Sequence, residues 1–418
     1  MRTAPQWGTP PWIDWPAAVL QKFTIRPSGE LHTPTAPWSG PTGRPVASFV
    51  IWVVGPMLSR WAGRHRAVST RAAVVSGYGP ADKVVSIASV DLPDRPAPDC
   101  VRVRVHAASI NSLDVRMRDG YGRACFESMR SSPSTFVTGF DCSGVVEDVG
   151  AHVMSYRRAD AVFGVCSPLR HNGRGTFADL VDLPVEFVAP KPEHLSDVEA
   201  AAIPFAAMTA ASAIHGIDAD RVAVLGGSGG VGLFAIQMLK HAGRSNSFVV
   251  ASCSQFNKGF CAKAGADKVI DYGCEALDDV VEHGSLDAVI DASGQCLDLL
   301  SDERPMKCLK PGGVYRTLSS PLLRSCDEHG NPIVGATFAT ADLVRQAARV
   351  YAERCLKFQW SFFTPRRSIW DSVVRMTQDN VLRPHIASVF PLEDMARAQE
   401  HLEAHHPPGK VVIDLTQS

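Results

Sequence analysis

The stretch Arg221–His241, RVAVLGGSGGVGLFAIQMLKH, constrains the fold of this chain more than any other. Four apolar residues, Val222 to Leu225, run into a glycine cluster, and an apolar helix pattern leaves it. Gly227, Gly229 and Gly232 have the GxGxxG spacing, with Gly226 and Gly230 beside them. Such a turn needs residues that lack Cβ and tolerate positive φ, so that backbone can approach a pyrophosphate. The helix that follows aims its unpaired N–H groups and positive dipole end at the same anion. Val231, Phe234, Ala235, Met238 and Leu239 fall at i, i+3, i+4, i+7 and i+8, one face of that helix. GxGxxG alone is a weak signal; between a strand and a long helix it predicts dinucleotide binding.

Composition narrows the setting. The net charge of −1 argues against a general nucleic-acid binder or a basic membrane-surface protein. Eleven cysteines are scattered without a single CxxC pair, which fits neither a disulfide framework nor a zinc ribbon and points to a reducing compartment. The longest apolar run, Phe49 to Leu58, falls short of the ~20 residues a membrane-spanning helix needs.

Residues 1–47 are rich in Pro, Trp, Gly, Ser and Thr and have neither helix nor strand period, so they are expected to be disordered. Between Met57 and Tyr78 stand four arginines, three serines and one threonine, with no acidic residue before Asp82. That is the composition of a mitochondrial transit peptide, and it makes Met57 a candidate start with residues 1–56 an upstream extension. From Arg71 to about Pro204 short strands alternate with turns. Val101, Val103 and Val105 alternate with Arg102, Arg104 and His106, and further strands are expected at 144–150, 160–164 and 176–181. After the glycine loop, strands at 248–252, 269–270, 286–291 and 313–318 alternate with helix-length segments, which predicts a doubly wound parallel sheet. Helices are expected at 345–356, 368–380 and 392–403, and Lys410–Leu415 (KVVIDL) as a closing strand that returns to the first half. The expected organisation is an extension and transit peptide over 1–70, a β-barrel-like domain over 71–203, a dinucleotide-binding domain over 204–365, and a returning tail over 366–418.

The second strand of the dinucleotide fold decides between the two nicotinamide coenzymes, because an acid at its end would hold the ribose 2′-hydroxyl. Here it ends VVASCSQFNK, and the first acid after the loop is Asp267, too late to serve. Ser252, Ser254, Asn257 and Lys258 can donate to a 2′-phosphate that a carboxylate would repel. The residues favour NADPH.

Several phrases resemble the medium-chain dehydrogenase/reductase superfamily: LGGSGGVG, AGADKVIDY (Ala264 to Tyr272) and GKVVIDL at the end. VHAASINSLDVRMRDGYG (Val105 to Gly122), Cys253 to Gln255 and WSFF (Trp360 to Phe363) place the likeness in the quinone oxidoreductase branch, among mitochondrial reticulon-interacting reductases. The resemblance implies an α/β chain with a GroES-like β-barrel domain and a Rossmann domain. It implies hydride transfer from NADPH to a quinone or enone, a link to ubiquinone metabolism, a homodimer, and a reticulon-type membrane protein as partner. It also admits an NADPH-binding interaction protein whose reductase activity is vestigial. Zinc-dependent relatives hold their metal on a Cys and on the His and Glu of a GHE motif, whereas the matching positions here are Asn111 and Gly139-Phe140-Asp141. Phe cannot ligate a metal, so no metal site is expected. Asn111, with Tyr121 second, is expected to donate to the oxygen where charge develops, and Asp114 to fix its loop or touch the ribose. Ser228, Gly229, Gly230, Val231 and Gly232 are assigned to the pyrophosphate, and Ser254, Lys258 and Tyr272 to the 2′-phosphate side. Gly409 and Lys410 are placed at the cofactor cleft. HLEAHH (401–406) lacks the HExxH order, Cys142 lacks a basic neighbour, and GGSGG matches a nucleophile elbow only by letter.

Overall fold

The computed structural model describes residues 67–417 apart from 131–134, 169–172, 243–246 and 294–303. Met57 and the expected disordered extension lie outside the described residues. Strand β1 begins at Ala67, four residues before the expected start, and Thr70 is buried with its Oγ1 accepting from the Leu180 amide at 3.0 Å. The last part of the basic stretch is therefore a strand of the folded body.

The first half builds two antiparallel sheets. β1 (Ala67–Ser76) pairs with β2 (Val85–Pro93) and β4 (Thr135–Val137). The larger sheet is laid around β3 (Cys100–Ile110), which pairs with β5 (Asp141–Val149) on one side and with β7 (Leu180–Pro184) on the other. β6 (Ala161–Val165) and β8 (Val188–Pro190) extend it beyond β5. The alternation read at 101–106 is visible as buried valines between more polar neighbours, although Arg102 is itself buried and paired with Asp182 at 2.7 Å. The strand expected at 176–181 starts only at Leu180; Thr176 and Phe177 are a buried connection, with the Phe177 amide on the Thr138 carbonyl.

The second half is a six-stranded parallel sheet of β9 (Arg221–Leu225), β10 (Phe248–Cys253), β11 (Lys268–Asp271), β12 (Leu286–Asp291), β13 (Leu309–Thr317) and β14 (Lys357–Trp360). Its order, β11-β10-β9-β12-β13-β14, reverses between β9 and β12. That reversal is the switch point at which doubly wound sheets bind ligands, beyond the carboxyl ends of the strands. Ala223, Val224, Ala251, Val289 and Ile290 are fully buried, as a sheet covered on both faces requires.

The chain then returns. β15 (Ile386–Pro391) pairs with β16 (Lys410–Asp414), and β16 pairs antiparallel with the end of β3, Val411 opposite Ile110. Among the described residues no helix is long and apolar enough to cross a membrane.

Candidate functional site

The glycine loop closes on itself before it can meet a ligand. The Gly227 amide donates to the Ser252 carbonyl (2.8 Å) and the Gly229 amide to the Gly226 carbonyl (3.1 Å). The helix Gly230–His241 starts directly behind. Three glycines are required by packing: a Cβ would lie 2.7 Å from the Ser293 backbone at Gly226, 2.8 Å from the Ala251 side chain at Gly227, and 2.3 Å from the Gly226 carbonyl at Gly232. Gly229 differs. A Cβ there would meet nothing nearer than 3.5 Å, so packing within the chain does not require a glycine at this position. Ser228 and Val231 flank it, each half-buried.

The closing strand is bound to this loop. Gly409 forms a bridge with Gly229, its amide donating to the Ser228 carbonyl at 2.8 Å. Gly409 has φ +77°, and a Cβ there would strike the His385 carbonyl at 2.1 Å. The stem of Lys410 crosses the front of the helix: a Cβ on Gly230 would be 2.7 Å from Lys410 Cδ.

That stem carries an ammonium into the first half. β16, β3 and β5 are antiparallel neighbours, so the start of β16 (Lys410), the end of β3 (Ser109, then Asn111) and the start of β5 (Asp141) fall together. Lys410 Nζ donates to Asn111 Oδ1 at 2.5 Å and lies 3.5 Å from Asp141 Oδ2. Asn111 Nδ2 donates to Asp141 Oδ2 at 3.2 Å and, weakly, to the Ser109 carbonyl at 3.5 Å. Asp141 also accepts from Ser109 Oγ and from the Phe205 amide (3.2 Å). Asp114 receives the amides of Asn111 and Gly139, each at 2.7 Å. All these groups are buried; Asn111, at 8% exposure, is the most open of them.

Burial dominates their protonation. Desolvation pushes the Asp114 carboxyl up to about 7, against the two amides that stabilise its charge. It also raises Asp141 and lowers Lys410, while the attraction between those two opposes both shifts.

Tyr121 stands elsewhere: its hydroxyl donates to the Ser320 carbonyl at 3.2 Å, and no hydrogen bond of the cluster reaches it. Its single proton is committed, so the expected second donor is not in place. An aromatic stack borders the cluster instead. Phe205 lies between Phe140 (centroids 5.0 Å apart) and Phe363 (4.5 Å, 12° between planes), which brings WSFF to the residue whose amide holds Asp141.

On the 2′-phosphate side, Ser254 and Tyr272 follow Cys253 and Asp271, which pair at the carboxyl ends of β10 and β11. Tyr272 is 61% exposed, and its amide donates to the Cys253 carbonyl. Lys258 faces Glu275 at 4.0 Å, a carboxylate that reading only the strand end missed. Asp267 serves the opposite end of the sheet, binding Lys240 (2.9 Å) and the Val249 amide (2.7 Å). Further along the carboxyl edge, Asp291 is fully buried and accepts from Ser293 and Thr317. Ser319 Oγ and Trp360 Nε1 are buried without a partner among the described residues. Orphaned polar atoms at that edge fit a site shaped for a polar ligand.

The remaining motifs stay outside the site. Cys142 is fully buried, and burial raises its thiol far above the ordinary range. His401 and His405 stack on one another (4.9 Å) near the end of the helix Met395–His405, and among the described residues no three His, Cys, Asp or Glu side chains come together as a metal site would require. Ser228 Oγ accepts from Asn257 Nδ2 (3.4 Å), not from a histidine.

A GroES-like sheet joined to a doubly wound parallel sheet, with a glycine loop at the switch point, defines a dehydrogenase architecture. Residues 97–193 match the alcohol dehydrogenase GroES-like domain, and 264–413 match the zinc-binding dehydrogenase family. The chain belongs to the medium-chain dehydrogenase/reductase superfamily. It is 31% identical over 371 residues to the mitochondrial NAD(P)H oxidoreductase RTN4IP1 of Danio rerio, covering 82% of this chain and 91% of that one. It is 31% identical to the mitochondrial reticulon-4-interacting protein 1 of Caenorhabditis elegans, covering 79% and 92%. In fold it is similar to the quinone oxidoreductase of Coxiella burnetii, with TM-score 0.68 and 24% identity over 83% of this chain and 100% of that one.

Proposed function

We propose that this oxidoreductase uses NADPH to reduce a quinone or enone without zinc, in mitochondria. One observation carries the reading: Lys410 touches both the glycine loop, at Gly230, and the polar cluster, at Asn111. Coenzyme loop and acceptor site are thereby joined by one side chain. Gly229, Gly230, Val231, Gly232 and Ser228 would hold the pyrophosphate, and Ser254, Tyr272 and Lys258 the 2′-phosphate. The bound coenzyme supplies a hydride. A quinone that has accepted one carries its new charge on oxygen, and a preorganised donor there lowers the barrier.

Asn111 suits that task through Lys410. The ammonium on Oδ1 draws charge from the carboxamide and so strengthens donation from Nδ2. Of the two Nδ2 protons, one is held by Asp141 and the other only weakly by the Ser109 carbonyl, so the second is free to turn to a substrate oxygen. Asp141 fixes the amide, and Asp114 fixes the backbone that bears it. The Phe140–Phe205–Phe363 stack offers an apolar, planar neighbourhood suited to a quinone ring. Zinc is not needed on this reading, because the cation facing Asp141 is an ammonium. The mitochondrial names of the relatives and the basic stretch after Met57 support the location, and with it a role in ubiquinone metabolism.

A second reading, an NADPH-binding interaction protein, draws on the helix Pro332–Arg354, where Ile333 (54% exposed), Phe338 (59%) and Val344 (47%) face outward. Such residues suit a homodimer contact or a reticulon-type partner. NADPH oxidation across a panel of ortho- and para-quinones separates the readings. The enzyme predicts turnover that drops in Asn111→Ala while NADPH affinity holds. Tight NADPH binding without turnover on any acceptor would defeat it.

A further inference from the structure

One aromatic side chain at the carboxyl edge of the parallel sheet has no task in the fold. β10 and β11 are parallel neighbours, and Cys253 and Asp271 pair at their carboxyl ends. Beyond β10 the chain makes a tight turn over Gln255–Asn257, closed by the Asn257 amide on the Ser254 carbonyl at 2.9 Å. Asn257 Nδ2 donates to Ser228 Oγ at 3.4 Å, which ties this turn to the glycine loop. Phe256 stands in the middle of the turn and is 92% exposed; no large apolar side chain among the described residues is more open to water. Phe260, four residues on, shows the contrast, because its ring lies against His385 with centroids 4.2 Å apart. At its exposure the Phe256 ring buries almost no surface, so it adds next to nothing to the stability of the fold. Tyr272, one residue past the end of β11, is 61% exposed, so each of the two strand ends presents an aromatic side chain to solvent.

We propose that Phe256 stacks on the adenine ring of the coenzyme. The inference rests on the coenzyme reading given above, and it follows from the connectivity of the ligand. In NADPH the adenine is joined to C1′ and the phosphate to C2′ of one ribose, on neighbouring carbons. Wherever the 2′-phosphate is held, the adenine lies beside it. Ser254 and Lys258, assigned to that phosphate, stand two residues before and two residues after Phe256 and bound the same turn. Ser228, assigned to the pyrophosphate, is tied to the turn through Asn257. The turn thus reaches both anionic groups of the adenosine half, and Phe256 is the part of it that carries neither charge nor polar atom. A base offers a flat, uncharged face, and an open phenyl ring is the chemistry that covers one. Stacking does not sense the 2′-position. Phe256 therefore adds affinity for NADPH and NADH alike, and the choice between them stays with Ser254, Lys258 and Tyr272.

The test is fluorescence titration of the full-length protein with NADPH, NADH and reduced nicotinamide mononucleotide, which lacks the adenosine. Stacking a base on an aromatic ring is worth about five- to 150-fold in affinity. Phe256→Ala should weaken NADPH and NADH by the same factor, about tenfold, and leave the mononucleotide unchanged. Phe256→Trp should restore both dinucleotides. In turnover the loss should fall on the KM for NADPH and not on kcat. The exposed ring makes thermal melting a control, and Phe256→Ala should melt with the parent protein. Unchanged dinucleotide affinity in Phe256→Ala would overturn the proposal. So would a loss confined to NADPH, which would place the ring's effect on the 2′-phosphate, or one shared by the mononucleotide, which would mean a disturbed fold. A parent protein that binds neither NADPH nor 2′,5′-ADP would defeat the coenzyme reading itself, and the proposal with it.

Discussion

Replacing Lys410 by methionine keeps the stem and removes the ammonium, so it isolates what the charge does. The stem packs on Gly230 and should continue to do so. What is lost is the 2.5 Å bond to Asn111 Oδ1 and the 3.5 Å ion pair with Asp141. Removing one partner of a buried pair costs about 3–5 kcal/mol because a bare charge is left behind. Here Asp141 keeps Ser109, Asn111 and Phe205 as donors, and its carboxyl is already shifted toward the neutral form, so the low end, about 3 kcal/mol, is expected. Turnover should suffer more specifically. Asn111 without its polarising partner is a weaker and less well-aimed donor, and losing one oxyanion donor costs about 10²–10³ in kcat. The assay is steady-state NADPH oxidation with a fixed quinone, alongside NADPH titration and urea unfolding. The expected pattern is a kcat loss of roughly a hundredfold with NADPH affinity within about threefold. Asp141→Asn in the same chain should return part of the lost stability by removing the stranded carboxylate, without returning kcat. A Lys410→Met protein that folds and turns over normally would refute the reasoning. So would one whose loss lies wholly in coenzyme affinity, since that would make Lys410 a coenzyme contact and nothing more.

The glycine loop offers a second set of expectations. Gly229→Ala should fold normally, because its Cβ meets nothing nearer than 3.5 Å, yet on the proposed function bind NADPH at least about tenfold more weakly. Gly232→Ala should instead destabilise the protein by about 2 kcal/mol or more, since its Cβ strikes the Gly226 carbonyl at 2.3 Å; thermal melts and NADPH titration together distinguish the two. Asp114 makes stability depend on pH. Its carboxyl is raised from 3.8 to about 7 on folding, so its contribution is fully present below 3.8 and is lost as pH rises through 7. Urea unfolding across that window should show an Asp114 component of up to about 4 kcal/mol. Asp114→Asn should flatten the slope while lowering stability throughout, because its NH₂ must face the amide of Asn111 or Gly139.

What the sequence disclosed and what it hid divide along a physical line. The strand, turn and helix from Arg221 to His241 are local, and the strand at 286–291 appears with the bounds its apolar run implied. The long helix was expected only from Arg345 yet begins at Pro332. Its first turns carry Ile333, Val334, Gly335 and Thr337, poor helix formers in isolation. Tertiary packing overrides them: Gly335 lets the helix sit on Cys326, where a Cβ would come within 2.3 Å of its backbone. β14, KFQW, is too short and mixed to show a period, and only its pairing with β13 defines it. The polar cluster was the least visible, because Lys410 and Asn111 are 299 residues apart and meet through strand register. The lysine could be placed at the cleft by resemblance; its hold on the amide could not.

That register makes the glycine loop and the polar cluster around Asn111 a single unit. The Ser228 carbonyl is capped by the Gly409 amide, and the next residue sends its side chain to Asn111. Val411 and Val412, fully buried opposite Ile110 and Ser109, anchor β16 in the first sheet while its leading residues lie against the second. A shift of β16 by one residue would carry Lys410 away from Asn111 and move Val411, Val412 and Ile413, all fully buried, each to the opposite face of the strand, out of the packing it now fills. It would also leave the Ser228 carbonyl without its partner. The apolar packing of the return strand therefore sets the geometry of the polar site, and the charge at Lys410 stays buried because the valines behind it hold the strand in place.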